Sequence, residues 1–144
     1  MQQVILVVLI MLVQIGVFPK IGRAAEGLNT AAIDQALGTA GDRQNEVYKI
    51  SLPRTDLHVT VKGVPIKPAL ALTSWMAFKA HKGRVLAHGD LVLRPGEVAG
   101  VLQQFEQGGI MITALHNHLL EDSPQIVYLH FWGEGEAETL ARTL

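Results

Sequence analysis

Three of the six histidines lie close together in the C-terminal part of the chain, as His116, His118 and His130. A neutral imidazole nitrogen is a common metal ligand, and it suits Zn, Mn, Fe, Ni and Cu. Three converging imidazoles would therefore bind a divalent transition metal, for which zinc is the first choice. The alternative interpretation is structural, with hydrogen-bonded histidines that fill space beside aromatic neighbours.

The segment that contains these histidines has the pattern of a β-hairpin. Residues 110–119 and 125–132 are predicted strands, and residues 121–124 are a predicted turn. Side chains two positions apart in a strand point to the same face. His116 and His118 are therefore expected on one face of the first strand.

The position of His130 depends on how the two strands pair. If Leu120 pairs with Ile126, His116 lies directly opposite His130 and all three imidazoles share one face. If Leu120 pairs with Gln125, His130 points to the other face. The sequence is compatible with both registers.

Other residues near the hairpin could complete a metal site. Glu121, His88 and Asp90 are candidates for a fourth ligand, because these metals accept both nitrogen and oxygen donors. A metal with three protein ligands and one water can generate hydroxide or polarise a carbonyl group. Glu121 is then the candidate catalytic base.

Arg54 and Asp56 are a further pair of candidate ligand contacts. They lie two positions apart, so in an extended segment their side chains share a face. The pair suits either an anion-binding clamp or a surface ion pair. The ion pair is the favoured interpretation, and such pairs stabilise a protein little.

Hydrophobic periodicity predicts an α+β fold, with a mostly antiparallel sheet and helices packed on it. The clearest helix is residues 95–107, where Val98, Val101, Leu102 and Phe105 form an apolar stripe. Shorter helices are predicted after Asn29 and from about residue 134. Strands are predicted at residues 47–52, 57–61, 75–80, 84–93, 110–119 and 125–132.

The order of these elements leads to two further expectations. Residues 84–119 form a strand-helix-strand unit, for which one parallel strand pair with a right-handed crossover is expected. Residues 110–119 are apolar on both faces, which favours a central position in the sheet. A hairpin and a helix follow at the C-terminus.

The N-terminus has the pattern of a cleavable secretory signal peptide. Val4 to Phe18 is apolar except at Gln14 and Gly16, and about 15 helical residues fall short of a ~30 Å hydrocarbon core. Small residues precede a cleavage point after Ala24. We therefore expect a signal peptide at residues 1–24, a single domain at 25–144, and export to the periplasm or the extracellular space. No stable membrane span is expected after cleavage, and an uncleaved anchor is the alternative.

The composition excludes several classes of function. The chain has no cysteine, which excludes disulfides, thiolate metal sites and cysteine nucleophiles. It has 12 basic and 13 acidic residues, and cleavage would remove Lys20 and Arg23. The remaining domain is acidic and has no basic run, so no nucleic-acid partner is expected.

Four stretches resemble the LppY/LpqO family: PRTDL at 53–57, HGDLVL at 88–93, TALHNH at 113–118 and HFWG at 130–133. The resemblance covers roughly residues 33–144. The family is an exported domain of unknown function, found in secreted proteins and lipoproteins and often as two copies in one chain. The resemblance implies export and a shared fold, but no reaction. This chain has one copy, which fits either a homodimer that mimics the tandem form or a truncated gene product. It has no lipobox cysteine, so a lipid anchor is not expected.

These observations support two function hypotheses, and a purely structural envelope protein is the third. The first is an exported protein of unknown activity with a metal-binding histidine hairpin, able to act as a metal-dependent enzyme on a small-molecule ligand. The second is a non-catalytic module that binds a ligand or an envelope partner. Three histidines converging on a pocket would favour the first, and an apolar groove with dispersed histidines would favour the second.

Overall fold

The computed structural model describes residues 27–144, so the signal peptide predicted at 1–24 lies outside the described residues. The helices of the described part are Thr30–Leu37 (α1), Pro68–Ala71 (α2), Pro95–Gln107 (α3) and Ala137–Thr143 (α4). Its strands are Asp42–Gln44 (β1), Val47–Pro53 (β2), Thr60–Val61 (β3), Val64–Pro65 (β4), Thr73–His81 (β5), Arg84–Leu93 (β6), Met111–His116 (β7), Asp122–Ser123 (β8) and Val127–Gly135 (β9). Within residues 27–144, no helix combines the length and the apolar character needed to cross a membrane.

Local sequence signals set the ends of the helices. The side chain of Asn29 accepts a hydrogen bond from the backbone N–H of Ala32 at 3.2 Å, which caps the start of α1. α1 ends at Leu37 and is capped by Gly38, whose φ of 70° is unstrained in glycine. α3 begins with Pro95, which suits a first helical position. The two helices predicted at these places are confirmed.

Six strands form the main sheet in the order β1-β2-β5-β6-β9-β7, and every neighbouring pair is antiparallel. A second, small sheet has the order β4-β3-β8. β5 and β6 are joined through Lys82 and Gly83, whose φ values of 48° and 79° are those that a tight hairpin turn requires. The predicted α+β fold, with a mostly antiparallel sheet and helices packed on it, is confirmed.

The strand-helix-strand unit β6-α3-β7 is present, but the parallel pair expected within it is wrong. β9 lies between β6 and β7 and is hydrogen-bonded antiparallel to both. β9 suits an inner position because it is buried on both faces, with Leu129 and Phe131 on one face and Tyr128 on the other.

The central position expected for residues 110–119 is also wrong, because β7 is an edge strand. It covers only Met111–His116, and Met111 and Leu115 are 58% and 46% exposed. An apolar run is buried on both faces only where other elements cover both faces. In this sheet, β9 is the strand that is covered on both faces.

The predicted tight turn at 121–124 is replaced by a longer connection between β7 and β9. Its middle part forms β8, which pairs with β3 outside the hairpin. The carboxylate of Asp122 accepts a hydrogen bond from the backbone N–H of Ile126 at 2.7 Å and so braces the return to β9. The strand predicted at 57–61 is confirmed only over Thr60–Val61.

The two faces of the main sheet are covered differently. One face packs against α1, α3 and α4, where Ile33, Phe105 and Leu140 join the main core. The other face carries a smaller buried cluster that includes Leu72 and Tyr128. The histidines predicted as metal ligands lie beside this smaller cluster.

Replacing Phe105 with alanine should lower the free energy of unfolding by about 3–5 kcal/mol. The Phe105 side chain is 1% exposed and packs edge-on against Phe131, with ring centroids 5.2 Å apart. Chemical denaturation measures the loss. Glu106→Ala, at an exposed position of the same helix, is the matched control and should change stability by less than about 0.5 kcal/mol. A loss below about 1 kcal/mol at Phe105 would contradict its place in the core.

Candidate metal centre

β9 pairs with a strand on each side and so brings three of the candidate side chains together. Asp90 of β6 lies opposite His130, and His116 of β7 lies opposite Tyr128. Because His130 is two residues from Tyr128, it shares a face with His116. The expectation that His116 and His130 lie on one face is therefore met.

The observed register between β7 and β9 differs from both registers that were considered from the sequence. An irregularity between Ile112 and Ala114 shifts the pairing of β7 with β9, and Ala114 instead of His116 lies opposite His130. Leu120 does not pair with β9, because β7 ends at His116. The direct opposition of His116 and His130 was wrong.

His116, His118 and His130 form what we call the histidine cluster. One ring nitrogen from each residue lies within 4.8 Å of the others. The centroid of the His116 ring lies 4.9 Å from the centroid of the His118 ring and 5.0 Å from the centroid of the His130 ring. Two ligand atoms of a tetrahedral zinc ion, each at about 2.0–2.1 Å from it, are about 3.3–3.4 Å apart. The three nitrogens would therefore have to approach one another by up to about 1.5 Å, through side-chain rotations, to bind a single ion.

His118 is positioned by stacking and not by strand periodicity, because it follows the end of β7. Its ring lies on the ring of Tyr128, with centroids 3.5 Å apart and planes inclined by 14°. Burial lowers the pKa of His118 against the opposing effect of Asp90, and His116 and His130 lower it further. This environment favours the neutral imidazole, which is the form that ligates a metal.

Asp90 lies beside the histidine cluster and is only 7% exposed. Its Oδ1 is buried without a hydrogen-bond partner among the described residues. Oδ1 lies 3.9 Å from Nε2 of His130, and Oδ2 lies 4.0 Å from Nε2 of His118. These distances are too long for hydrogen bonds and about 0.6 Å longer than the roughly 3.3–3.4 Å between two ligands of a tetrahedral ion. Asp90 is therefore near the histidine cluster without belonging to the group of ligand atoms within 4.8 Å of one another.

The electrostatics of Asp90 also fit a bound cation. Burial raises the pKa of Asp90, while charge on the facing imidazoles of His130, His118, His116 and His88 would lower it. A buried carboxylate that lacks partners destabilises the folded state unless a cation lies next to it. Three imidazoles and one carboxylate are a donor set that first-row transition metals accept.

Glu121 and His88, the other candidate ligands, have different partners. Glu121 Oε2 lies 3.1 Å from Lys62 Nζ, and both side chains are more than half exposed. His88 Nδ1 lies 2.8 Å from the carbonyl oxygen of Phe131, so this nitrogen donates a hydrogen bond. The catalytic role of Glu121 and the ligand role of His88 stay predictions.

Arg54 and Asp56 lie in an ion-pair network at the start of α3. Arg54 Nε and Nη2 each donate to the Asp56 carboxylate at 2.9 Å, and its Nη1 and Nη2 donate to Glu97 at 3.0 and 3.1 Å. Nη1 also donates to the carbonyl oxygen of Val92 at 2.6 Å. The network joins the segment after β2 to β6 and α3. A role of Arg54 and Asp56 as ligand contacts stays a prediction.

The sequence reasoning did not connect α2 with the site. Ala69, Leu70 and Ala71 of α2 line a groove to which Asp90 and His118 also contribute. The sequence offers no signal for this neighbourhood, because α2 and the hairpin are far apart along the chain and meet only through tertiary packing.

Comparisons with known proteins give one match. The model of a protein family described as Domain of Unknown Function (DUF1259) matches residues 31–144. No curated protein and no solved structure matches the chain.

Replacing Glu97 with glutamine should reduce stability in a pH-dependent way. Burial of Glu97 raises its pKa, but hydrogen bonds from Arg54 and Arg94 outweigh this effect and hold the pKa at about 2. A carboxylate whose pKa is depressed in the folded state stabilises the protein above its ordinary pKa of 4.5, and this contribution is lost as the pH falls towards 2. The difference in unfolding free energy between wild type and Glu97→Gln should therefore be largest at neutral pH and shrink in acid.

Urea denaturation at several pH values between about 7 and 2 tests this expectation. Glu106→Gln, at an exposed position of the same helix, is the matched control, and its difference from wild type should stay small throughout. A difference at Glu97 that does not change with pH would refute the stabilising role of its ionised form.

Proposed function

The chain belongs to the family described as Domain of Unknown Function (DUF1259), a description that names no activity, and we propose a function from the site itself. His116, His118 and His130 bind a divalent transition metal, and Asp90 is the fourth protein ligand. The observation that carries this proposal is the convergence of three imidazole nitrogens within 4.8 Å beside a buried, unpartnered carboxylate oxygen.

A purely structural role explains this arrangement less well. Buried polar atoms in proteins are almost always hydrogen-bonded, yet Asp90 Oδ1 has no such partner among the described residues. The nearby ring nitrogens of His118 and His130 lie about 1 Å beyond hydrogen-bond distance from the carboxylate. A cation held between these groups would stabilise all of them together.

The donor set limits the choice of metal. Imidazole and carboxylate ligands suit Zn, Mn, Fe, Ni and Cu, and we propose zinc as the first metal to test. Such an ion supplies Lewis acidity or a metal-bound hydroxide. The exposed histidines His116 and His118 leave the site accessible to small molecules, so a metal-dependent reaction on a small substrate is the activity that we propose.

Further proposals concern the identity and the location of the protein. The motifs at 53–57, 88–93, 113–118 and 130–133 support assignment to the LppY/LpqO family. The apolar N-terminus supports a signal peptide at 1–24 and export to the periplasm or the extracellular space. A homodimer is the proposed assembly. Glu121 remains a candidate base for the reaction.

The first test of the metal site replaces its ligands one at a time. Untagged protein should bind close to one zinc ion per chain, and His116→Ala or His130→Ala should abolish stoichiometric binding because each removes a ligand. Elemental analysis after dialysis against zinc measures the stoichiometry. Asn117→Ala is the matched control, since Asn117 lies next to His116 in the chain and is not a proposed ligand. It should bind zinc like the wild type.

The opposite result is equally clear. If untagged wild-type protein binds none of Zn, Mn, Fe, Ni or Cu and gains no thermal stability from them, the metal proposal is refuted. The histidine cluster would then be part of a non-catalytic binding module.

Asp90→Asn should have opposite effects on the metal-free and metal-loaded protein. Without metal, the variant should be at least as stable as the wild type, because it removes a buried charge that has no hydrogen-bond partner at Oδ1. With saturating zinc, the wild type should gain more stability than the variant, because the variant has lost an anionic ligand. Thermal unfolding with zinc and with a chelator measures both effects.

Asp122→Asn is the control for this experiment. Asp122 also has a buried Oδ1 without a partner among the described residues. Unlike Asp90, it has no carboxylate oxygen within 4.0 Å of a ring nitrogen of the histidine cluster among those residues. Zinc should stabilise this variant as much as it stabilises the wild type. An equal response of Asp90→Asn and wild type to zinc would remove Asp90 from the ligand set and leave the three histidines in place.

A further inference from the structure

The exposed apolar side chains of the described part of the chain gather at one edge of the main sheet. Within residues 27–144, seven large hydrophobic side chains are exposed. Five of them belong to β7, to the segment after it or to the neighbouring strand β9: Met111, Ile112, Leu115, Leu120 and Trp132. Single exposed apolar residues need no explanation, but an apolar patch on a folded protein marks an interaction surface.

β7 is also the outer strand of the sheet, so its outward backbone N–H and C=O groups have no strand partner among the described residues. Proteins usually protect an edge strand from pairing with another chain by placing charged side chains or proline on it. Residues 108–120 contain no lysine, arginine, aspartate, glutamate or proline. The edge is therefore suited to pair with another strand that is apolar and uncharged.

The irregularity between β7 and β9 sets an unusual order of faces along β7. Side chains of directly paired residues share a face. Ile112 pairs with Phe131 and Leu115 pairs with Leu129, and both partners belong to the main core. Ile112 and Leu115 therefore lie on the same face, although residues three apart in a regular strand point to opposite faces.

Met111 and His116 share the other face. Met111 pairs with Trp132 and His116 pairs with Tyr128, and these two partners lie four residues apart in β9. The two outer positions at each end of the strand therefore have the same order of faces when it is read in either direction. A two-fold axis perpendicular to the sheet reverses the order of residues and preserves the faces, so such a strand matches a copy of itself.

We propose that β7 pairs antiparallel with β7 of a second copy about this axis, so that the two main sheets join edge to edge. In this register Ile112 lies opposite Leu115 of the second copy, and Met111 lies opposite His116 of the second copy. The pairing buries apolar side chains on both faces and sets no like charges against each other. It gives the proposed homodimer an interface, places Met111 of each copy beside the histidine cluster of the other, and does not depend on a bound metal.

Sedimentation velocity of the untagged, untruncated protein tests the association at concentrations between about 1 and 300 µM. A dimer should form as the concentration rises, with chelator and with zinc alike. Leu115→Lys should weaken it at least about tenfold, because the two-fold axis places the new charge twice in the interface. Val64→Lys is the matched control, since Val64 is exposed and lies in β4, outside the main sheet. It should associate like the wild type.

Paired cysteines test the register, and the natural chain contains no cysteine that would interfere. In the double variant Ile112→Cys with Leu115→Cys, each new thiol lies opposite one from the second copy, so mild oxidation should link the chains into dimers. The two positions lie about 10 Å apart along one strand, which is too far for a disulfide within one copy. Met111→Cys with Leu115→Cys, whose side chains lie on opposite faces, is the control and should cross-link at least about fivefold more slowly.

The outcomes separate this proposal from the metal centre. A wild-type protein that stays monomeric over the whole range would refute the pairing of β7, and so would a dimer that Leu115→Lys does not weaken. A dimer that forms with zinc and dissociates in chelator would be held by a shared ion and would also refute it. A protein that dimerises through β7 but binds no metal would support the pairing and refute the metal centre alone.

Discussion

A single irregularity in the pairing of β7 with β9, at Thr113, determines which side chains face the site. Pairs before this residue follow one register, and pairs after it follow a register shifted by one. Had the first register continued, Leu115 instead of His116 would lie opposite Tyr128, and His116 would turn to the other face. The extra residue therefore places a histidine where a regular strand would place a leucine.

The burial of Asp90 depends on the same sheet. β9 sets Asp90 beside His130 across one strand pair, and the smaller cluster around Leu72 and Tyr128 covers the adjoining part of that face. The carboxylate is thereby removed from water, while His116 and His118 stay exposed. A buried charge without a partner destabilises the fold. Its presence next to three imidazoles is a local inconsistency of the kind that proteins keep at functional sites.

The elements themselves could largely be predicted from local patterns. The helix stripe ending at Phe105, the cap at Asn29 and the strand at 84–93 all follow from periodicity and turn residues. The edge position of β7 could not be predicted, because its apolar side chains resemble those of a buried strand. β7 is at the edge because β9 inserts between β6 and β7. That pairing joins segments that are far apart in the chain, so local patterns do not reveal it.

The sequence by itself determined that an α+β domain forms and that three of its histidines lie in its C-terminal segment, because side-chain alternation and helical periodicity are local properties. Only the tertiary structure decided how the ligands meet. The irregularity at Thr113, the stacking of His118 on Tyr128 and the burial of Asp90 each require contacts between distant segments. Strand register is set by such contacts, and a shift of one residue reverses the face of every side chain that follows.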